Sequence, residues 1–353
     1  MKETEFKILD ALSRDLGNPI SILKLTEKIS EIHGPAHYPE IYSKIQELEK
    51  KKLIAIDKYG KSSAASLNFA SPLLIDNLAQ TEMIRKIQFL ETRNDWQTLI
   101  LQINGYLRDQ TSIRSITMIR PEQYAKLNRM ELLILLQNED NRKRKDSEQI
   151  KEIMQLLERV HNIRIDCLLL DEENFRELLK RDDANMIKEM MSDKITIFYP
   201  QTFWLLIKKF LDEGMRIQVE YTINPAKISE QDIAYNLHRF GYSELGTKIS
   251  DGTNIGTEYI ATSILLEGDA RRRDAIPIML AKNSDKTNYD LLLFLSKKYG
   301  TLGRLLPYLR ILFDVKPSDK LRESIYALKH SGIAEVQVDV KDIKKKMRLY
   351  NVK

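Results

Sequence analysis

The sequence predicts an α+β chain of several domains. Its 353 residues suit two or three domains. Three observations set the class. The first 72 residues carry three apolar stripes at helical spacing, then two strand-like runs around a turn. The middle of the chain places helical patterns between strand-length apolar runs, as a mixed sheet with a crossover helix does. From about residue 223 the pattern is helical again with short connections, as in an all-α bundle. The expected segments are 1–72, a helical linker over 73–94, an α/β domain over 95–222 and a helical domain over 223–353.

In the first segment, a helix over 5–16 puts Phe6, Leu9 and Leu12 on one face, and Gly17-Asn18-Pro19 ends it. A second helix over 21–32 turns Ile22, Leu25 and Ile29 inward, and Gly34-Pro35 breaks the chain. A third starts near Pro39, because proline suits the first helical turn, and buries Ile41, Ile45 and Leu48. Leu53-Ile54-Ala55-Ile56-Asp57 reads as a strand, 58–63 as a turn and 65–69 as the return strand. Three helices and a hairpin resemble a winged helix-turn-helix, with 41–54 carrying most of the resemblance. In that family an apolar residue and a glycine usually precede the wing; here Lys51 and Lys52 stand in those places. The resemblance implies a third helix lying in the major groove of double-stranded DNA. Its outward residues Tyr38, Glu40, Tyr42, Ser43, Lys44 and Gln46 would face bases and phosphates. Lys58 and Lys61 at the wing tip would neutralise phosphates. The same fold also serves protein interaction, and Glu40, Glu47 and Glu49 would repel a phosphate backbone.

Residues 73–110 read as helical. Such a segment connects domains or pairs two protomers. Winged-helix regulators often dimerise through added helices, so the resemblance points to a possible homodimer.

In the third segment, Ser115-Ile116-Thr117-Met118-Ile119, 130–136 and 163–170 are strand-length apolar runs. Between the last two, Ile150, Ile153, Met154, Leu157 and Val160 recur at helical spacing, with Ser147 at the N-cap position. That is a βαβ unit. A fourth run, 194–199, leads through Pro200 into another helix. This order of pieces, with Glu131 and Asp166 near the starts of their strands, resembles the minimal nucleotidyltransferase-like domain. Active members place Gly-Ser after the first strand, two acids separated by one apolar residue on the second, and a third acid on the third. Those acids hold two divalent metals against the nucleotide phosphates. Here Arg120-Pro121-Glu122 replaces Gly-Ser, and Arg129 stands where the first acid belongs. Glu131 and Asp166 match the other two. The resemblance therefore implies a fold that has lost catalysis and needs no cofactor. The runner-up is an active, Mg²⁺-dependent nucleotidyltransferase using Glu131, Asp166 and a third carboxylate such as Glu122. The charged run 138–146 reads as a loop, either solvated or facing a phosphate at the following helix N-terminus.

In the last segment, Ser229 caps a helix running to Phe240 with Ile233 and Leu237 inward. Helices are expected over 257–267, 269–282, 288–299, 301–313 and 318–330. Val336-Gln337-Val338-Asp339-Val340 alternates like an edge strand. The basic tail 341–348 is either a frayed end or a phosphate-binding extension.

Composition narrows the function. The net charge of +5 permits nucleic-acid contact without demanding it. One cysteine, Cys167, allows no intrachain disulfide, and no Cys/His zinc spacing occurs. The five histidines are scattered. No phosphate-cradling glycine loop or nucleophile elbow appears. Trp96 and Trp204 read as core. No apolar run approaches a membrane span, and the start of the chain lacks an apolar signal region, so the expected location is the cytoplasm. The leading expectation is a DNA-binding transcriptional regulator whose central domain senses a nucleotide, binds a protein effector or acts as a scaffold. A third reading is an antitoxin-like interaction component without a DNA role.

Overall fold

The computed structural model describes residues 1–59, 62–110, 112–137, 140–217, 223–243, 251–267, 270–329 and 334–352, with backbone only at 59, 62, 140–145 and 270–271. The fold is mixed α and β, with many helices and two small sheets. It divides into two compact units: 1–180 with 187–220, and 181–186 with 221–353. The expected segments 1–72, 73–94 and most of 95–222 lie in the first unit.

The first unit opens with α1 (Glu3–Ser13), the two-residue strand β1 (Ile20–Ser21), α2 (Ile22–His33) and α3 (Tyr38–Lys50). All nine apolar residues expected to face inward, from Phe6 to Leu48, are buried. Ser21 caps α2 by accepting the Lys24 N–H at 3.3 Å. The hairpin strands β2 (Ile54–Tyr59) and β3 (Ser62–Leu67) pair antiparallel and extend into the stretch expected as a turn. β1 pairs with β3, giving a three-stranded sheet in the order β1-β3-β2. Lys52, just before the hairpin, sits at φ +60°, a conformation that glycine adopts most easily.

The segment expected as a linker is α4 (Pro72–Thr92), a core helix. It packs on α1 and on two elements of the larger sheet layer, β7 and α10. Buried Leu74, Ile75, Leu78 and Phe89 explain that placement. After α5 (Gln97–Leu107) come β4 (Ile113–Ile119), α6 (Pro121–Ala125), β5 (Arg129–Leu136), α7 (Asp140–His161), β6 (Arg164–Asp171), α8 (Glu172–Lys180), α9 (Met186–Met190), β7 (Lys194–Phe198) and α10 (Pro200–Asp212). The sheet order is β6-β5-β4-β7. β5 and β6 run parallel with α7 as the crossover, and β4 is antiparallel to both its neighbours. One face, with Met130, Leu132, Ile134 and Ile165, packs on Ile150, Met154 and Leu157 of α7 and on Leu99, Ile100 and Ile103 of α5. Strand side chains alternate, so Arg129, Glu131, Leu133, Arg164 and Asp166 point to the other face. α6, α8 and α10 contact the strands there. The charged run expected as a loop is helical from Asp140, and Ser147 lies inside α7 instead of capping it. Arg and Lys are good helix formers, so charge alone did not mark a loop.

The second unit is helical: α11 (Glu230–Arg239), α12 (Thr257–Glu267), α13 (Ala270–Arg273), α14 (Ala275–Lys282), α15 (Tyr289–Lys298), α16 (Leu302–Val315), α17 (Asp319–Lys329) and α18 (Val340–Leu349). Ser229 and Asn288 cap α11 and α15 through their side chains. The helix expected over 269–282 is broken at Asp274. The expected edge strand 336–340 is absent among the described residues. Among the described residues of this unit its alternation has no strand to pair with; Asp339 instead caps α18, accepting the Asp342 N–H at 3.0 Å. α18 is a docked helix, with Ile343 and Met347 buried. Arg181 joins Asp183 at 2.7 Å and Glu258 at 3.0 Å, which ties residues 181–186 into this unit. A Cβ on Gly256 would lie 2.9 Å from Glu258 Oε2, so a larger residue there would have to displace the side-chain ends of that cluster.

Candidate functional site

Two places in the first unit gather the residues singled out by sequence. The first is at the start of β5 and β6. Parallel pairing sets Arg129 opposite Arg164 and Glu131 opposite Asp166. Both carboxylates are 1% exposed. The Arg129 guanidinium bridges them, with Nη2 3.0 Å from Glu131 Oε1 and 2.7 Å from Asp166 Oδ2. Arg164 Nε approaches Asp166 Oδ2 at 3.0 Å. Tyr124 of α6 closes the group, with Arg129 5.6 Å from its ring centroid. Burial, and the Glu131 charge beside it, push the Tyr124 phenol above its usual range.

The runner-up reading asks these acids to hold Mg²⁺, and the residues do not fit a metal. Two guanidinium groups already balance the two carboxylates. A cation brought among them would meet like charge. Glu122, the candidate third carboxylate, is exposed on α6. Its charge is felt at Asp193, where burial and Glu122 together raise the carboxyl above its usual range. Among the described residues no group of three or more His, Cys, Asp or Glu could hold a metal ion. Arg164 and Tyr124 were not singled out by the sequence reading. The signal for Arg164 was present: Arg129-Met130-Glu131 and Arg164-Ile165-Asp166 repeat one pattern on adjacent strands.

The second place is the face of α3 and the hairpin. Tyr38 and Tyr42 are 43% and 41% exposed, their rings stacked with centroids 5.9 Å apart. Ser43 is exposed and Gln46 half-buried. Lys44 departs from expectation. It is 9% exposed, and its Nζ lies 2.6 Å from Glu47 Oε2. Its position beside Ile41 and Ile45 draws the aliphatic stem into the core. Lys58 is exposed on β2. Lys61 lies outside the described residues. Two of the acids on this face are engaged: Glu40 accepts a hydrogen bond from Thr4 Oγ1 at 2.8 Å, and Glu47 holds Lys44.

A buried charge network joins these layers within the unit. Glu82 of α4 accepts the Thr196 N–H of β7 at 2.8 Å and contacts Lys194. Arg85 lies 3.1 Å from Glu82, contacts Asp10 of α1, and donates to Ser13 Oγ at 2.7 Å. His33 of α2 is 2.8 Å from Asp10. Burial opposes ionisation of Asp10, yet Arg85, His33 and Arg14 hold its carboxyl well below the usual range. Burial brings Lys194 down to about 8, with Glu82 opposing the shift. The ammonium lies against the rings of Phe203 and Trp204, 4.5 Å and 4.4 Å from their centroids.

No helix among the described residues is long and apolar enough to cross a membrane. No protein-family model, curated protein or solved structure matches the chain.

Proposed function

We propose that the chain is a DNA-binding protein, a transcriptional regulator, that contacts duplex DNA through α3 and the hairpin of a winged helix-turn-helix module. The observation that carries this reading is the connectivity of the N-terminal sheet. A short strand lies between the first two helices and pairs with the last strand, in the order β1-β3-β2. That arrangement leaves Tyr38, Tyr42 and Ser43 exposed on the third helix, with Lys58 on the hairpin. Lys52 at φ +60° supports the same reading, since it adopts the backbone that glycine supplies at this place in the winged-helix family. Lys44, paired with Glu47, is left out of the DNA face. The sheet of β4 to β7 acts on this reading as a nucleotidyltransferase-like scaffold or sensor without turnover. Its support is the Arg129 bridge, which occupies both acids.

The test is binding of the full chain to fluorescent duplex DNA over a range of salt. Binding should weaken steeply as salt rises. Lys58→Ala with Lys61→Ala should weaken it for all sequences and flatten the salt slope by about one unit per lost phosphate contact. Tyr42→Ala or Gln46→Ala should instead alter sequence preference. No duplex binding at low salt refutes the proposal.

A further inference from the structure

The positive charge of this chain is concentrated at its end. Of the 56 Lys and Arg and 51 Asp and Glu, ten and five fall within 316–353, so the first 315 residues balance at 46 of each sign. The whole net charge of +5 therefore belongs to the last stretch. There the structure separates anchoring cations from presented ones. On α18, Ile343 and Met347 are buried, Lys344 Nζ is 2.8 Å from Asp314, and Lys346 Nζ is 2.6 Å from Asp274. Lys341, Lys345 and Arg348 follow at i, i+4 and i+7, a spacing that sets them along one helix face. All three are exposed, and no carboxylate among the described residues pairs with them.

This face lies on the helix that begins at one wall of a groove. The groove encloses about 900 Å³ between α16, α17 and residues 335–340. Its lining includes Arg310, Arg322 and Lys329 beside Phe313 and Tyr326. Tyr326 is 46% exposed, and Arg322 lies 5.8 Å from the Phe313 ring centroid. The two lining acids are engaged, Asp314 by Lys344 and Glu335 by Arg310. Basic side chains flanking accessible aromatic rings are the elements that bind unpaired nucleotides: cations follow the phosphates, and rings stack on bases. A membrane surface fits less well, because the apolar side of α18 is already buried in the bundle and leaves little to insert. A flat basic face alone would suit duplex; the concave, aromatic-bearing wall suits bases freed from stacking.

We propose that the helical C-terminal unit binds single-stranded nucleic acid, with bases in the groove beside Tyr326 and phosphates on Lys341, Lys345 and Arg348. This surface is built from other residues than the α3 and hairpin face, and the proposal stands or falls without it. The test uses the full chain with fluorescent oligothymidylate and oligouridylate as probes, which distinguish DNA from RNA. Lys341→Glu, Lys345→Glu and Arg348→Glu together should weaken binding by about tenfold or more and lower the salt slope by ~2, the share of three phosphate contacts on a single strand. Tyr326→Ala should weaken binding roughly fivefold to a hundredfold while leaving the salt slope unchanged, the mark of a lost stacking contact. Circular dichroism should match the unaltered chain in each case. The proposal is overturned if single strands do not bind at low salt, or if the charge-reversed chain binds them as tightly as the unaltered one. It is equally overturned if charge reversal abolishes binding to phosphatidylserine vesicles and spares the oligonucleotides.

Discussion

Replacing Arg129 by methionine should expose what the β5–β6 cluster does. The guanidinium makes contacts of 3.0 Å and 2.7 Å to two carboxylates that are each 1% exposed. Removing one partner of a buried ion pair costs about 3–5 kcal/mol, because a charge is left in a poor solvent. Arg164 remains 3.0 Å from Asp166, so part of the charge compensation persists, and the low end, about 3 kcal/mol, is expected. That is a large share of the ~5–15 kcal/mol of a folded domain, yet leaves it folded. Urea unfolding followed by tryptophan fluorescence is the assay. Trp96 and Trp204, the chain's two tryptophans, are both buried in the first unit, so the signal reports that unit alone. Adding Glu131→Gln to Arg129→Met should recover part of the loss, since replacing both partners leaves no orphaned charge. A deficit below about 1 kcal/mol would show that the cluster is not a buried ion-pair lock.

Two further outcomes follow from particular residues. Lys52→Gly should raise stability by about 0.5–1 kcal/mol, because the left-handed backbone strains an L-residue by more than glycine's extra chain entropy costs; an unchanged urea midpoint would refute the strain. The unaltered chain should show no Mn²⁺- or Mg²⁺-dependent rise in melting temperature and no metal-dependent transfer of labelled nucleotide, whereas Arg129→Asp should gain a Mn²⁺-dependent rise. Transfer by the unaltered chain that vanishes in Asp166→Ala would overturn the scaffold reading.

The sequence made some parts of this architecture legible and hid others for physical reasons. Helices α1, α2 and α3 were readable because each carries three apolar residues at helical spacing, all buried. The β5–α7–β6 unit was readable because strands covered on both faces are nearly all apolar. β1 was not, since two residues leave no period. The serine- and alanine-rich β3 was found only in part, because small polar side chains carry weak strand preference. Val336 to Val340 gave a false strand, because alternation is necessary for a sheet edge but pairing requires a partner. At the candidate site the composition of the cluster was legible, and its closure was not. Arg164 meets Asp166, and Arg129 meets both acids, only once parallel register is fixed. Lys44 was misplaced because a periodicity count treats a lysine as outward, while its stem is apolar.

The cluster also bears on how a sheet of this connectivity can serve as scaffold. Two buried carboxylates on adjacent strands repel, and a fold that keeps them needs a cation between them. A divalent metal would supply that charge and still offer open coordination positions to a phosphate. The Arg129 guanidinium supplies a cation too, but from the same strand as Glu131 and as a fixed side chain. It is covalently held, always charged, and within ion-pair distance of both acids. On the proposed reading, the exchange of an acid for arginine at this one position therefore shifts the local charge by two units, removes the need for a metal, and leaves no coordination site for a nucleotide's triphosphate. Any nucleotide that the domain senses must then be held by side chains other than Glu131 and Asp166. Its binding should persist in EDTA and should survive Asp166→Asn.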